Sequence, residues 1–148
     1  MEVMNSTWRL FLKRRSRGEE VEIAFWASVT AAGQATVLWG AVGKDLRDVT
    51  QERHPDGVAA EMAKARPEIG YVGIAIDEDV VAFLGTEASS IYSVLKPLAF
   101  ALAGETPRVL PEVAPLVRAS LDALEVPTTI CVTDELLRTP KGGGVYDW

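Results

Sequence analysis

The sequence predicts an α+β protein: a small antiparallel sheet with one packed helix in residues 1–73, followed by an α/β extension with two amphipathic helices in residues 74–148. Two observations support this fold class. Three runs before residue 43 alternate apolar residues with a period of two, which is typical of strands. Two runs after residue 88 repeat apolar residues every three or four positions, which is typical of helices.

The three predicted strands lie between residues 8 and 42. Trp8, Leu10 and Leu12 share one face of the first, and residues 16–19 form a hairpin to the second. In the third strand Gly40 and Gly43 should weaken the pairing, and glycines at such positions mark a bulge or a close approach by another backbone or a ligand. The second strand carries Val21, Ile23, Phe25, Ala27 and Val29 on one face, and the third carries Val37, Trp39 and Ala41 opposite Leu38 and Val42.

A weaker strand and a short helix are expected next. The polar run over residues 46–53 predicts a fourth strand. Pro55 stands at the expected start of a helix and Pro67 at its end, because proline is tolerated in a first turn and excluded from a helix interior. The helical spacing comes from Val58, Ala59, Met62 and Ala63.

An ordered set of features in residues 7–73 carries a family resemblance. The set consists of an opening strand TWRLFLKRR, the pair Phe25-Trp26, then Trp39-Gly40 with Val42-Gly43, a polar strand, a helix opened near a proline, and a terminal Gly70-Tyr71-Val72. This set resembles the WGR domain, a module of DNA-dependent poly(ADP-ribose) polymerases and of many bacterial proteins. Ala41 stands where that family has the arginine of its motif.

The resemblance implies DNA binding. In the family, the Trp packs against the terminal nucleotide near a strand end and the Arg contacts the backbone, so Trp39 and Gly40 are the residues that match this role here. With Ala41 in place of the Arg, other cations must supply phosphate contacts, which give most of the sequence-independent affinity for DNA. The candidates are Lys44 and Arg47 downstream, and Lys13, Arg14, Arg15 and Arg17 of the first hairpin. The alternative for the hairpin cluster is a solvated hairpin end that nearby glutamates partly neutralise.

The second half has to be interpreted without the resemblance. The run GIAIDEDVVAFLG predicts two short buried strands around the acidic turn of Asp77, Glu78 and Asp79. A helix is then expected, capped by Ser89 or Ser90, kinked or divided at Pro97 and ended at Gly104. Its apolar stripe is Ile91, Val94, Leu95, Leu98 and Leu102, and that of a second helix, which begins near Pro111 and stops at Pro127, is Val113, Leu116, Val117, Leu121 and Leu124.

The end of the chain predicts one more strand and a docked tail. The run TTICVT places Thr128, Ile130 and Val132 on one strand face, with Cys131 as a small buried hydrophobe. The closing PKGGGVYDW ends on aromatic residues, so we expect it to dock on this chain or on a second copy in a homodimer.

Composition and charge narrow the function classes. The chain has 48% hydrophobic and 24% charged residues and a single cysteine, which fits a soluble globular protein without an intrachain disulfide. Residues 1–73 contain ten Lys or Arg and ten Asp or Glu, so the net charge of −6 belongs to residues 74–148. No apolar run is long enough to span a membrane, and no signal peptide is recognisable, so we expect a cytoplasmic location.

The same residues argue against catalysis. His54 is the only histidine, and the sequence has no nucleophile elbow, dinucleotide fingerprint or metal-binding His/Cys set, so we expect no enzymatic activity, cofactor or metal. Two functions remain. One is a non-catalytic module that binds DNA ends or DNA structure without sequence specificity. The other is a protein-interaction module whose acidic half binds a basic protein, as a small immunity or inhibitor protein binds a nuclease toxin.

Overall fold

The computed structural model describes residues 6–42 and 49–133 of the chain. Within these residues the fold is α+β, as predicted, with a five-stranded antiparallel sheet and four helices. The elements in chain order are β1 (Thr7–Arg17), β2 (Glu20–Ala31), β3 (Gln34–Val42), β4 (Thr50–Pro55), α1 (Asp56–Ala65), β5 (Val72–Ile74), α2 (Glu78–Leu84), α3 (Tyr92–Leu102), β6 (Arg108–Val109), α4 (Ala114–Ala123) and β7 (Cys131–Val132).

The sheet has the strand order β4-β3-β2-β1-β5. Antiparallel hairpins join β1 to β2, β2 to β3 and β3 to β4, and β5 pairs with the outer edge of β1. The three predicted strands and their hairpin are therefore confirmed. The fourth is confirmed with later bounds, since β4 covers residues 50–55 and residues 46–48 lie outside the described part of the chain.

One face of the sheet carries the main hydrophobic core. Apolar residues alternate along β1 and β2 with the two-residue period of a strand, so one set points to this face and packs against the later helices. Both predicted helical stripes point into this core, with Leu102 at its margin. The largest fully buried members from the sheet are Leu10, Leu12, Ile23, Phe25 and Leu38, and those from the helices include Leu95, Leu98 and Leu116.

The opposite face of the sheet carries a smaller core under α1. The predicted helix is confirmed, beginning directly after Pro55 and ending before Pro67, and its Ala59 and Ala63 pack on Trp26 and Val37. We call this side of the sheet the aromatic face, because Phe11, Trp26 and Trp39 all project from it. β2 is thus covered on both sides, and each residue from Ile23 to Val29 is buried.

The first of the two strands predicted around residues 77–79 is confirmed in part, since β5 includes Gly73 and Ile74, but the acidic segment begins a helix, so the predicted turn and second strand are wrong. α2 starts at Glu78, and the side chain of Asp77 accepts a hydrogen bond of 3.0 Å from the backbone N–H of Val80. This is an N-cap. The carboxylates of Glu78 and Asp79 lie in the first turn, where their negative charge interacts favourably with the positive end of the helix dipole. Val80 and Leu84, four residues apart, are the buried positions.

α3 runs through Pro97 without a break, so the helix is not divided there, and the alternative of a kink at Pro97 stays a prediction. A 3₁₀ turn over Ala88–Ile91 leads directly into α3, and no side chain caps the helix, so the predicted serine caps are also wrong. Burial of Val94, Leu95 and Leu98 offsets the hydrogen bond that proline cannot donate. Gly104 follows the helix with φ of +87°, which confirms it as a terminator.

Only two residues of TTICVT form a strand. β7 pairs in parallel with the equally short β6, through Cys131 opposite Arg108 and Val132 opposite Val109. Ile130 and Thr133 are buried, whereas Cys131 and Val132 are exposed. The prediction of a buried Cys131 is therefore wrong, and the strand predicted over the whole run is confirmed only at Cys131 and Val132, because a two-residue pairing cannot hold the whole run in strand geometry.

Three sequence predictions are not tested by the residues that the structure describes. Lys44, Arg47 and the tail PKGGGVYDW lie outside the described residues. The division at residue 73 falls inside β5 and stays a prediction. Among the described helices, none is both long enough and apolar enough to cross a bilayer.

The double coverage of β2 predicts a sharp contrast between two valines of that strand. Val29→Ala should lower the free energy of unfolding by about 2 kcal/mol, because Val29 is 3% exposed and loses two buried methyl groups. The matched control Val21→Ala, at 52% exposure on the same strand face, should change it by less than about 0.5 kcal/mol. Urea unfolding measures both, and equal losses would contradict the burial of Val29.

The exposure of Cys131 predicts a reactive thiol in the folded protein. Ellman's reagent should label one thiol per chain under native conditions, at a rate close to that in urea, because the side chain is open to solvent. Cys131→Ser is the control for background absorbance. Labelling that requires unfolding would show that the thiol is buried.

Candidate nucleic-acid interface

Three aromatic side chains form a row across the aromatic face. The strand register places Phe11 opposite Trp26 and Trp26 opposite Trp39. The rings of Phe11 and Trp26 meet edge to face, with centroids 5.8 Å apart. Trp26 is 1% exposed and forms the floor, whereas Phe11 and Trp39 are only partly buried at its margins. Trp39 is thus the indole of this row that retains contact with solvent.

Arg66 lies over the centre of this face. It follows α1 directly, and its guanidinium Nε donates a hydrogen bond of 3.0 Å to the carbonyl of Met62 in the last turn. The guanidinium carbon lies 5.7 Å from the ring centroid of Trp26 and 5.8 Å from that of Tyr71. Both distances are within the range of cation–π attraction. Helix end and aromatic rings together fix the position of this cation.

Lys13 is held on the other side of Tyr71. Its ammonium Nζ lies 5.7 Å from the Tyr71 ring centroid and donates a hydrogen bond of 2.6 Å to the carbonyl of Ile69. Gly70, with φ of +98°, turns the chain between these two contacts. A Cβ on Gly70 would lie 3.1 Å from Lys13 Cε, so glycine permits the close approach of the lysine side chain.

The cations on this face differ in their partners. Arg9 lies 3.6 Å from Asp56 and bonds to Ser28, and Arg15 forms an ion pair of 3.0 Å with Glu22. In the part of the chain that the structure describes, Lys13 and Arg66 have no carboxylate partner. Their positive charges are therefore available to an external anion.

The predicted site residues are only partly brought together. Lys13, Arg15 and Trp39 lie on the aromatic face. Arg14 points to the opposite side, where its guanidinium donates to the carbonyl of Leu124 at 3.2 Å, so the basic run of the hairpin is divided between two faces. The side chain of Arg17, like Lys44 and Arg47, lies outside the described structure.

Gly40 has a structural role, and it lies at the position where the sequence predicts a close approach. An added Cβ would lie 3.3 Å from Val49 Cγ2 and 3.5 Å from both Val49 Cα and Phe25 Cε1. The close approach is confirmed, and it involves the main core rather than the aromatic face. Gly40 therefore positions the strand next to Trp39 and offers no side chain to a ligand.

Ala41 shares a row of the sheet with Lys13. The register pairs Lys13 with Ala24 and Ala24 with Ala41. Two strand spacings separate the outer members, which corresponds to about 10 Å. The row thus places a cation on the same face as Ala41, the residue that the predicted WGR resemblance matches to the arginine of that motif.

Sequence reasoning missed Arg66 and Tyr71 as site residues. Arg66 could not be predicted, because the helical spacing in this region identifies only the apolar side of α1. Tyr71 could have been predicted from the pair Gly70-Tyr71, since a glycine beside an aromatic residue allows the chain to turn the ring back onto the sheet.

The single histidine of the chain has a carboxylate neighbour. His54 lies on β4, and its Nε2 is 2.8 Å from Glu52 Oε1. In residues 6–42 and 49–133, no group of three or more His, Cys, Asp or Glu side chains could hold a metal ion.

Comparison with known proteins adds no assignment: no protein-family model, curated protein or solved structure matches the chain. The resemblance to the WGR domain stays a prediction that rests on the residues quoted for it.

The contact between Gly70 and Lys13 predicts a coupling between fold and site. Gly70→Ala should lower the free energy of unfolding by about 1 kcal/mol, because alanine disfavours positive φ. Displacement of Lys13 should cost about 0.5 kcal/mol more through the lost hydrogen bond. The control Gly18→Ala has φ of +63° with open space around the glycine. Urea unfolding that shows no larger loss for Gly70→Ala would contradict the contact.

Proposed function

We propose that the aromatic face binds DNA without sequence specificity, at strand ends or altered structure. The observation that carries the proposal is the pairing of two unneutralised cations, Lys13 and Arg66, with the aromatic row that ends in Trp39. Phosphates need cations, and a terminal or unstacked base needs an aromatic surface. Both kinds of group lie on one face of the sheet.

The cations of the aromatic face have different roles in the proposed binding. Lys13 and Arg66 serve as phosphate contacts, and each should contribute to the salt dependence of the affinity. Lys13 takes the part of the arginine that Ala41 replaces, because it lies in the same row on the same face. Arg9 and Arg15 contribute less, since Asp56 and Glu22 already neutralise them.

The aromatic residues of this face also have different roles in the proposed binding. Trp26 is too buried to stack on a base, so it serves as the floor that holds Arg66. Trp39 keeps contact with solvent and is the residue we assign to stacking, which is worth roughly 1–3 kcal/mol per base. Stacking on a base tolerates any base identity, so this assignment fits recognition of DNA structure rather than sequence.

The test is a fluorescence anisotropy titration of a labelled 5′-phosphorylated duplex at about 50 and about 200 mM salt. Lys13→Gln with Arg66→Gln should weaken binding and reduce the slope of log K against log salt by about 1 for each lost contact. Trp39→Ala should weaken binding by roughly 1–3 kcal/mol and leave the slope unchanged.

Matched controls separate binding from folding. Lys64→Gln removes a cation from the exposed side of α1, where Lys64 pairs with Glu61, and should leave binding unchanged. Urea unfolding of each variant shows that the fold is intact. Absence of binding at low salt, or equal losses for Lys64→Gln and the Lys13/Arg66 pair, would overturn the proposal.

A second candidate is a protein-interaction module for a basic partner, and one observation favours it. A groove of about 600 Å³ is lined by Asp77, Asp79 and Glu112 together with Val80 and Phe83, and the lining residues that the structure describes include no cation. Such a groove suits a partner with basic and apolar side chains. If DNA fails to bind while a lysine-rich peptide binds the native chain and not Asp79→Asn, with Glu87→Gln as control, this function replaces the first.

A further inference from the structure

A pocket lies beside the end of α3, on the opposite side of the sheet from the aromatic face. α3 ends at Leu102, Gly104 reverses the chain, and the backbone N–H of Glu105 donates to the carbonyl of Phe100 at 3.0 Å. The segment that follows passes back along the outer side of α3. It is fixed by a hydrogen bond of 2.9 Å from the N–H of Cys131 to the carbonyl of Pro107. The space between helix and segment has a volume of about 320 Å³.

The walls of this pocket are apolar. Pro97 and Pro107 are buried at its base, and Phe100 stands at its edge with 46% of its surface exposed. A large aromatic side chain that remains this exposed next to a concave apolar surface marks a place where a ligand can bury area. The volume lies at the lower end of the range for small-molecule sites, so it suits one ring system rather than an extended chain.

The charges at the rim are unusual for this half of the protein. Residues 74–133 contain eight Asp or Glu and only three Lys or Arg, and two of those three, Lys96 and Arg108, line this pocket. Neither side chain has a hydrogen bond or ion pair in the described part of the chain. Glu105 is the single carboxylate among the described lining residues, so these residues give the rim an excess of one positive charge.

From this combination we propose that the pocket binds a small aromatic molecule with one anionic group, its ring against Phe100 and the two prolines and its anion between Lys96 and Arg108. A purely apolar ligand would leave both cations without a partner. A larger anion without a ring would leave the apolar walls exposed. The site is separate from the DNA site, because α3 packs on the opposite side of the sheet from the aromatic face.

The probe is anilinonaphthalene sulfonate, a naphthalene dye with one sulfonate, titrated by fluorescence against the native chain. Lys96→Gln and Arg108→Gln should each weaken binding about threefold, as expected for partly screened charges. Phe100→Ala should weaken it about tenfold through the loss of ring contact. Glu105→Gln should strengthen binding, because it removes the opposing carboxylate.

Two controls make the test specific. The neutral dye phenylnaphthylamine, which has the same rings and no sulfonate, should respond to Phe100→Ala and not to Lys96→Gln or Arg108→Gln. A second apolar groove on the same half contains Arg118, Asp122 and Val132, so Arg118→Gln and Val132→Ala should leave sulfonate dye binding unchanged. Urea unfolding establishes that each variant is folded.

The outcomes are distinct. Losses confined to Lys96, Arg108 and Phe100 support the proposal. Equal losses for Arg118→Gln, no charge dependence, or no binding by the folded native chain would overturn it. None of these results depends on whether DNA binds the aromatic face.

Discussion

The burial of β2 on both faces is the constraint on which the rest of the structure depends. Every residue from Ile23 to Val29 is inaccessible to solvent, so both sides of this central strand require cover. The later helices cover one side with the main core. Short α1, together with Arg66 and Tyr71, covers the other. The polar side chain in the strand is satisfied too, since Ser28 accepts a hydrogen bond of 3.3 Å from Arg9.

Cover for Trp26 is what creates the candidate site. A ten-residue helix with small buried residues cannot conceal a whole sheet face, so a cation and a tyrosine complete the cover over the indole ring. The indole Nε1 is left without a hydrogen-bond partner among the described residues, which costs about 1–3 kcal/mol. The packing that buries Trp26 thus brings unneutralised charge onto the same sheet face as the partly open Trp39.

The six described cations at the two candidate sites differ in whether a carboxylate neutralises their charge. Arg9 and Arg15 are paired with carboxylates on the aromatic face and act mainly within the fold. Lys13 and Arg66 are held by carbonyl groups and aromatic rings, which fix their positions without removing their charge. Lys96 and Arg108 stand beside an exposed phenylalanine in an otherwise acidic half. These four cations, Lys13 with Arg66 and Lys96 with Arg108, therefore mark two separate places where an anion could bind.

Local sequence pattern determined most of the sheet and the helical stripes, because burial on one side imposes a period of two on strands and of about 3.6 on helices. The alternation in β1 and β2 and the stripes of α3 and α4 agree with the structure for this reason. Pattern failed where local preference and tertiary context disagree. The Val-Val pair after Asp79 favours a strand, yet the Asp77 cap and helical burial of Val80 and Leu84 decide for a helix.

Only the tertiary structure decided which residues meet. Pro97 remains inside α3 because burial of its neighbours outweighs a missing hydrogen bond, and Cys131 is exposed because β6 offers only two residues for pairing. Arg66 reaches Trp26 from the end of α1, and Tyr71 reaches Arg66 through the turn at Gly70. A Cβ at Gly40 would crowd Val49. Contacts between residues distant in the chain leave no period in the sequence, so the sequence by itself determined which faces are buried, and the packing of those faces decided where charge and aromatic surface come together.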